Sequence, residues 1–198
     1  MDIEATVIIP IITFLFGILS APIVDYCHHQ ARKRRNQKLL LAELNDETTW
    51  LAERIVTMAE SFISLERGYE KMLKYVPRVT TVRFIEHVLN ESYIDVPREK
   101  RTVLKSMIVQ INSINQNADK IKKLSIANTD HHNEIVKMAK DYVYTACCLR
   151  HCMLSYQDGK KYKFIQDIED KEAIELQIQE LCLDITYDSL ITRKQIPA

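Results

Sequence analysis

An all-α fold is the class this sequence predicts, and three observations carry it. Only three glycines and five prolines occur in 198 residues, a composition poor in the residues that punctuate strand-and-turn folds. A seven-residue apolar repeat runs from Leu41 to Val76, and three later stretches repeat their apolar residues at helical spacing.

The first element is an uncharged run, Ala5 to Val24, in which Thr6, Thr13 and Ser20 are the only hydroxyl-bearing members. Twenty residues at about 1.5 Å each reach about 30 Å, the thickness of a hydrocarbon core. The leader before it, Met1-Asp2-Ile3-Glu4, is acidic, while Arg32, Lys33, Arg34, Arg35 and Lys38 follow it. A signal peptide has the opposite charge order. The pattern predicts a single membrane-spanning helix with the N-terminus outside and the rest of the chain on the cytoplasmic side of a cell inner membrane. The basic cluster is then expected to meet anionic lipid headgroups.

Within that run Thr6, Pro10, Thr13, Gly17 and Ser20 project to one side at 100° per residue, and Ile8, Ile12, Leu15 and Leu19 to the other. A small, partly polar face predicts close packing between helices of a homo-oligomer or, with several copies around an axis, the lining of a gated pore. No charge ring or filter sequence is present, so such a pore would select poorly among ions.

The heptad positions are Leu41, Leu44, Thr48, Leu51, Ile55, Met58, Phe62, Leu65, Tyr69, Met72 and Val76, ten of eleven apolar or aromatic. The repeat stops at Pro77, which cannot continue a helix interior. One helix is therefore expected from the apolar run to Tyr75, its seam covered by later helices of the chain or by other copies. A short helix over Thr80 to Asn90 follows, and a longer one starts near Pro97 with Val103, Met107, Ile111, Ile114, Ala118 and Ile121 on one face. After the turn-like Ala127-Asn128-Thr129-Asp130, a helix carries Ile135, Met138, Tyr142, Ala146, Leu149 and Met153 and ends before Asp158-Gly159. A last helix within Lys160 to Thr192 uses Ile174, Ile178, Leu181 and Ile185. The division expected is a tail and membrane helix over 1–25, a basic segment over 26–38, and a bundle of four or five helices over 39–198.

The formal net charge is zero, which gives no general pull toward nucleic acid. Cys27, Cys147, Cys148, Cys152 and Cys182 are five, an odd number without a disulfide framework, and a reducing compartment keeps them as thiols. Cys147, Cys148, His151 and Cys152 have metal-ligand chemistry but fall on one helix among core residues, where a structural zinc site draws its ligands from two elements. They read as small core side chains, and neither metal nor cofactor is expected. Glycine phosphate loops, nucleophile elbows and His-Glu-x-x-His are missing, and the Arg83/His87 pair has no converging acid or base, so no enzyme is expected. His131-His132-x-Glu134 reads as a solvated turn. The best local feature for a soluble ligand is Lys160, Lys161, Tyr162 and Lys163, three cations and an aromatic ring suited to a nucleotide or oligonucleotide signal. Lys120, Lys122 and Lys123 form a second basic group.

The lone span Ala5 to Val24, the Arg32 to Lys38 cluster and the helical domain behind them resemble the small membrane effectors of bacterial anti-phage systems, most nearly the Hailong-type transmembrane effectors. The resemblance covers the whole architecture and brings no site residue with it. It implies an oligomeric channel held closed until a nucleotide-derived signal, or a regulatory protein, engages the helical domain, and so a role in abortive infection. The alternative is a membrane-tethered helical interaction or scaffold protein without pore activity.

Overall fold

The computed structural model describes residues 2–69, 75–91, 95–126, 131–159 and 161–191; the side chains of 2–13, 15, 19, 126 and 165 lie outside what it describes. All regular structure among the described residues is helical: α1 Asp2–Glu66, α2 Phe84–Glu91, α3 Arg98–Ile126, α4 His132–Gln157, a 3-10 turn Ile165–Asp167, α5 Asp170–Glu180 and α6 Tyr187–Leu190. The helix α4 is the centre. It packs against α3, α1, α5 and α6, and its run from Ala146 to Met153 is buried apart from Arg150. The short α2 closes the side between α1 and α3.

The heptad seam is covered from within the same chain. Leu44, Leu51, Ile55, Met58, Phe62 and Leu65 are almost fully buried, and Thr48 stays among them by donating its hydroxyl to the Leu44 carbonyl at 2.5 Å. At its upper end the seam shifts from Leu41, which is 43% exposed, to the fully buried Leu40. A straight helix of 3.6 residues per turn drifts about 20° per heptad against a strict repeat of seven, and the shift corrects for it.

At its lower end the prediction of helix to Tyr75 is corrected. α1 stops at Glu66 because Gly68 takes a positive φ of 70°, and Tyr69 N–H bonds the Ser64 carbonyl while Gly68 N–H bonds that of Leu65. This is a Schellman cap, for which glycine is the favoured residue. Tyr69 and Val76 are consequently exposed, and Met72 lies outside the described residues. The last predicted helix is likewise divided, since a second Schellman cap ends α5: Leu183 N–H bonds Ile178 and Cys182 N–H bonds Gln179, with Cys182 at φ 51°.

The membrane expectation is also corrected. Among the described residues no helix is long and apolar enough to cross a membrane. The membrane-spanning Ala5–Val24 and the single-pass inner-membrane placement are overturned by that finding. Beyond Val24 the same helix continues unbroken into exposed charge, with no hinge at Pro22 or over residues 25–30.

Candidate functional site

Of the small-residue face, Gly17 and Ser20 are described, whereas the side chains of Thr6, Pro10 and Thr13 lie outside the described residues. Ser20 donates its hydroxyl to the Gly17 carbonyl at 3.2 Å, and a Cβ built on Gly17 meets nothing within 4 Å. The described large apolar side chains of this stretch are uncovered: Phe14, Phe16, Ile18, Ile23, Val24 and Tyr26 are between about half and seven-tenths exposed.

The basic cluster marks where the bundle begins to hold α1. Lys33 pairs with Asp95 at 2.9 Å, and Asn36 donates to Glu91, both in the α2–α3 region. Arg32, Arg34, Arg35 and Lys38 remain exposed. One turn further in, the Glu43 carboxylate accepts from the backbone N–H of Arg83 (2.8 Å) and of Phe84 (3.0 Å). It caps α2 from another helix, supplying the negative charge that a helix N-terminus favours.

The loop proposed for a soluble ligand is tied to acids of α5. Lys161 lies 3.7 Å from Glu180 and Lys163 lies 3.6 Å from Glu172. The buried Tyr162 donates its hydroxyl to Glu180 at 2.6 Å and sets its ring edge-on to His151. Arg150 also donates to Glu180, at 3.0 Å, and to Gln177. Burial would raise the Glu180 carboxyl, but the bonds from Tyr162 and Arg150 outweigh it and hold its pKa below the ordinary value. Lys160 lies outside the described residues. Lys161 and Lys163 thus each face an acid of α5 while 64% and 70% of their side chains stay exposed.

The cysteine cluster is core. Cys147, Cys148 and Cys152 are buried, and burial pushes the thiols up, that of Cys147 to about 12 and that of Cys152 to about 11. Such thiols are protonated at neutral pH and poor ligands and nucleophiles. Among the described residues no three His, Cys, Asp or Glu side chains are grouped to hold a metal ion. His151 is buried beside them, its Nε2 2.9 Å from the Lys163 carbonyl and its Nδ1 without a partner. Burial lowers its pKa. The His87 ring packs near Phe84.

A polar network that the sequence did not announce lies between α1, α3 and the segment after residue 74. Arg54 Nη1 donates to Glu47 at 2.9 Å and to the Thr80 hydroxyl at 2.8 Å, with both charged side chains nearly buried. Asn115 of α3 brackets the Thr80 backbone, accepting from its N–H (2.8 Å) and donating to its carbonyl (2.9 Å). Burial raises the Glu47 carboxyl above its ordinary value against the pull of Arg54. Above this network opens a cleft of about 520 Å³, formed by one face of α1 (Trp50, Glu53, Arg54, Thr57) and by Tyr75, Arg78 and Val79. The volume is within the range of small-molecule sites. None of these α1 positions belongs to the heptad seam.

The chain matches no family model, no curated protein and no solved structure. No relative therefore bears on the likeness to Hailong-type effectors.

Proposed function

We propose that the protein is a homo-oligomeric helical interaction module, in which the bundle over 39–198 presents the outer part of α1 as an assembly arm. The observation that carries this reading is the exposure of Phe14, Phe16, Ile18, Ile23, Val24 and Tyr26 on a helix that the rest of the chain leaves uncovered. Apolar side chains around a helix are stable in water only when something covers them, and contiguous exposed patches of this kind mark interaction surfaces. A second copy fits the arm. Gly17, Ser20, Ala21 and Val24 fall within about 60° of one direction, and with no atom near Gly17 another helix can approach its backbone.

A gated channel needs a helix that crosses a membrane, so that part of the expectation is not carried into this reading. A nucleotide signal at Lys161–Lys163 would have to compete with Glu172 and Glu180 and is not carried either.

Sedimentation velocity of the full chain across a hundredfold concentration range tests the proposal. The expected result is a concentration-dependent dimer or larger species that Phe16→Glu with Ile23→Glu converts to monomer at unchanged helicity. A monodisperse monomer at tens of micromolar would end the reading.

A further inference from the structure

We propose that the cleft over Arg54 binds a small aromatic zwitterion, of which an aromatic α-amino acid is the simplest class. The argument begins with charge. Arg54 is already neutralised by Glu47 at 2.9 Å. That leaves Glu53 and Arg78, opposite charges lining one cleft, and neither has a side-chain hydrogen bond or ion pair among the described residues. Two side chains able to neutralise each other are instead presented separately to the same space. A ligand carrying both an ammonium and a carboxylate meets both, the carboxylate on the planar fork of Arg78 and the ammonium on Glu53.

The body of the ligand is specified by Trp50. It is 55% exposed at the cleft wall, and it is the sole tryptophan of the chain. An exposed indole offers a large apolar face for an offset-stacked or edge-on aromatic ring. The Tyr75 hydroxyl lies within the electrostatic reach of Arg54, Arg78 and Glu53 and makes no hydrogen bond among the described residues.

Tyr142 of α4 is fully buried beside this network, with Arg54, Tyr75 and Glu47 as its charged and polar neighbours.

The balance of charge argues against the polyanion that two arginines first suggest. Arg54 and Arg78 are matched by Glu47 and Glu53, so a phosphate chain would meet as many carboxylates as guanidiniums. A simple carboxylate leaves Glu53 facing an apolar ring, and a simple amine leaves Arg78 so placed.

The single tryptophan makes the test direct. The full chain is titrated with L-phenylalanine, phenylacetate, phenethylamine and adenosine monophosphate, following Trp50 emission and, in parallel, its indole N–H resonance. Saturable binding of L-phenylalanine at least tenfold tighter than either single-charge analogue is expected. Arg78→Met should reduce its affinity to that of phenethylamine, and Glu53→Gln to that of phenylacetate. Both positions are exposed, so both variants should keep the parent circular dichroism. Equal affinity for all four probes, tighter binding of the nucleotide, or no saturation by either readout would overturn the assignment.

Discussion

The two halves of α1 belong to one unbroken helix and are both rich in apolar residues, yet they have opposite environments. From Leu40 to Leu65 the seam residues recur in steps of three and four and are buried, with α1 packed on α4 and α2. From Phe14 to Tyr26 they stand around the helix and are exposed. The difference teaches that apolar content decides how much surface must be covered, while its spacing decides whether one neighbouring face can cover it. A stripe is satisfied within the chain. A ring of apolar residues asks for more partners than this bundle supplies.

The sharpest way to break the comparison is to truncate one phenylalanine in each half. Phe62 is 1% exposed in the core, and Phe62→Ala should lower the unfolding free energy by about 3–5 kcal/mol. Phe16 is 71% exposed, and Phe16→Ala should change bundle stability by less than about 0.5 kcal/mol at concentrations where the chain is monomeric. Urea titrations followed by circular dichroism at 222 nm read both. Comparable losses would mean that the arm packs on the bundle.

A second test addresses the polar side of the buried half. Arg54→Met strands the Glu47 carboxylate in a site where it is 5% exposed. Breaking a buried pair costs about 3–5 kcal/mol, and the open cleft above Arg54 argues for the low end, about 3 kcal/mol near neutral pH. The pH dependence has a definite sign. Burial raises the folded pKa of Glu47, so its contribution to stability is fully present below the unfolded value of about 4.5 and is lost as pH rises through the folded one. Removing Arg54 should enlarge that loss, and Glu47→Gln should abolish it in either background. His151 works in the opposite direction. Burial depresses its folded pKa, so its contribution is present above the unfolded value of about 6.5 and declines as pH falls through the folded one. His151→Gln should flatten that acid limb in thermal melts.

The two Schellman caps provide a matched pair of smaller effects. Gly68 sits at φ 70° with open space around it, so Gly68→Ala should destabilise by about 1 kcal/mol through backbone strain alone. Cys182 occupies the equivalent position after α5 at φ 51° and is exposed, so Cys182→Gly should stabilise by about 1 kcal/mol or slightly less. Differential scanning calorimetry should show shifts of opposite sign, and shifts of the same sign would refute the backbone explanation.

Those caps also show what the sequence made legible. The seam from Leu44 to Leu65, the buried face of α3 from Val103 to Ile121 and most of the α4 face follow from local periodicity, which a single helix enforces by itself. Gly68 stands in the sequence where α1 ends, but the heptad runs on past it through Tyr69 and Val76. At Cys182 no glycine marks the break. The site was less legible because its partners are distant in sequence. Arg54 meets Thr80 across 26 positions, Thr80 meets Asn115 across 35, and Glu43 caps α2 across 41. The lysines near Tyr162 looked free for the same reason, since Glu172 and Glu180 return to them only through the fold of α5. The membrane reading rested on the apolar run alone, and it is overturned because among the described residues no helix is long and apolar enough to cross a membrane.

The smallest prediction locates the boundary between the two halves. Among the described residues Lys33 is the first side chain of α1 tied to the bundle by an ion pair, at 2.9 Å from Asp95, with 18% and 41% of the two side chains exposed. An exposed or half-exposed pair contributes about 0.2–1 kcal/mol, less at high salt. Arg34, one residue on, is exposed. Lys33→Ala should therefore cost up to about 0.5 kcal/mol and Arg34→Ala nothing measurable. The same difference should appear as faster amide hydrogen exchange over residues 30–38 in Lys33→Ala alone, because losing the tie lets the arm's base open locally while the buried half stays closed. If both variants accelerate exchange equally, charge density rather than the Asp95 contact holds the base of the arm, and the boundary moves inward to Leu40, where apolar burial begins.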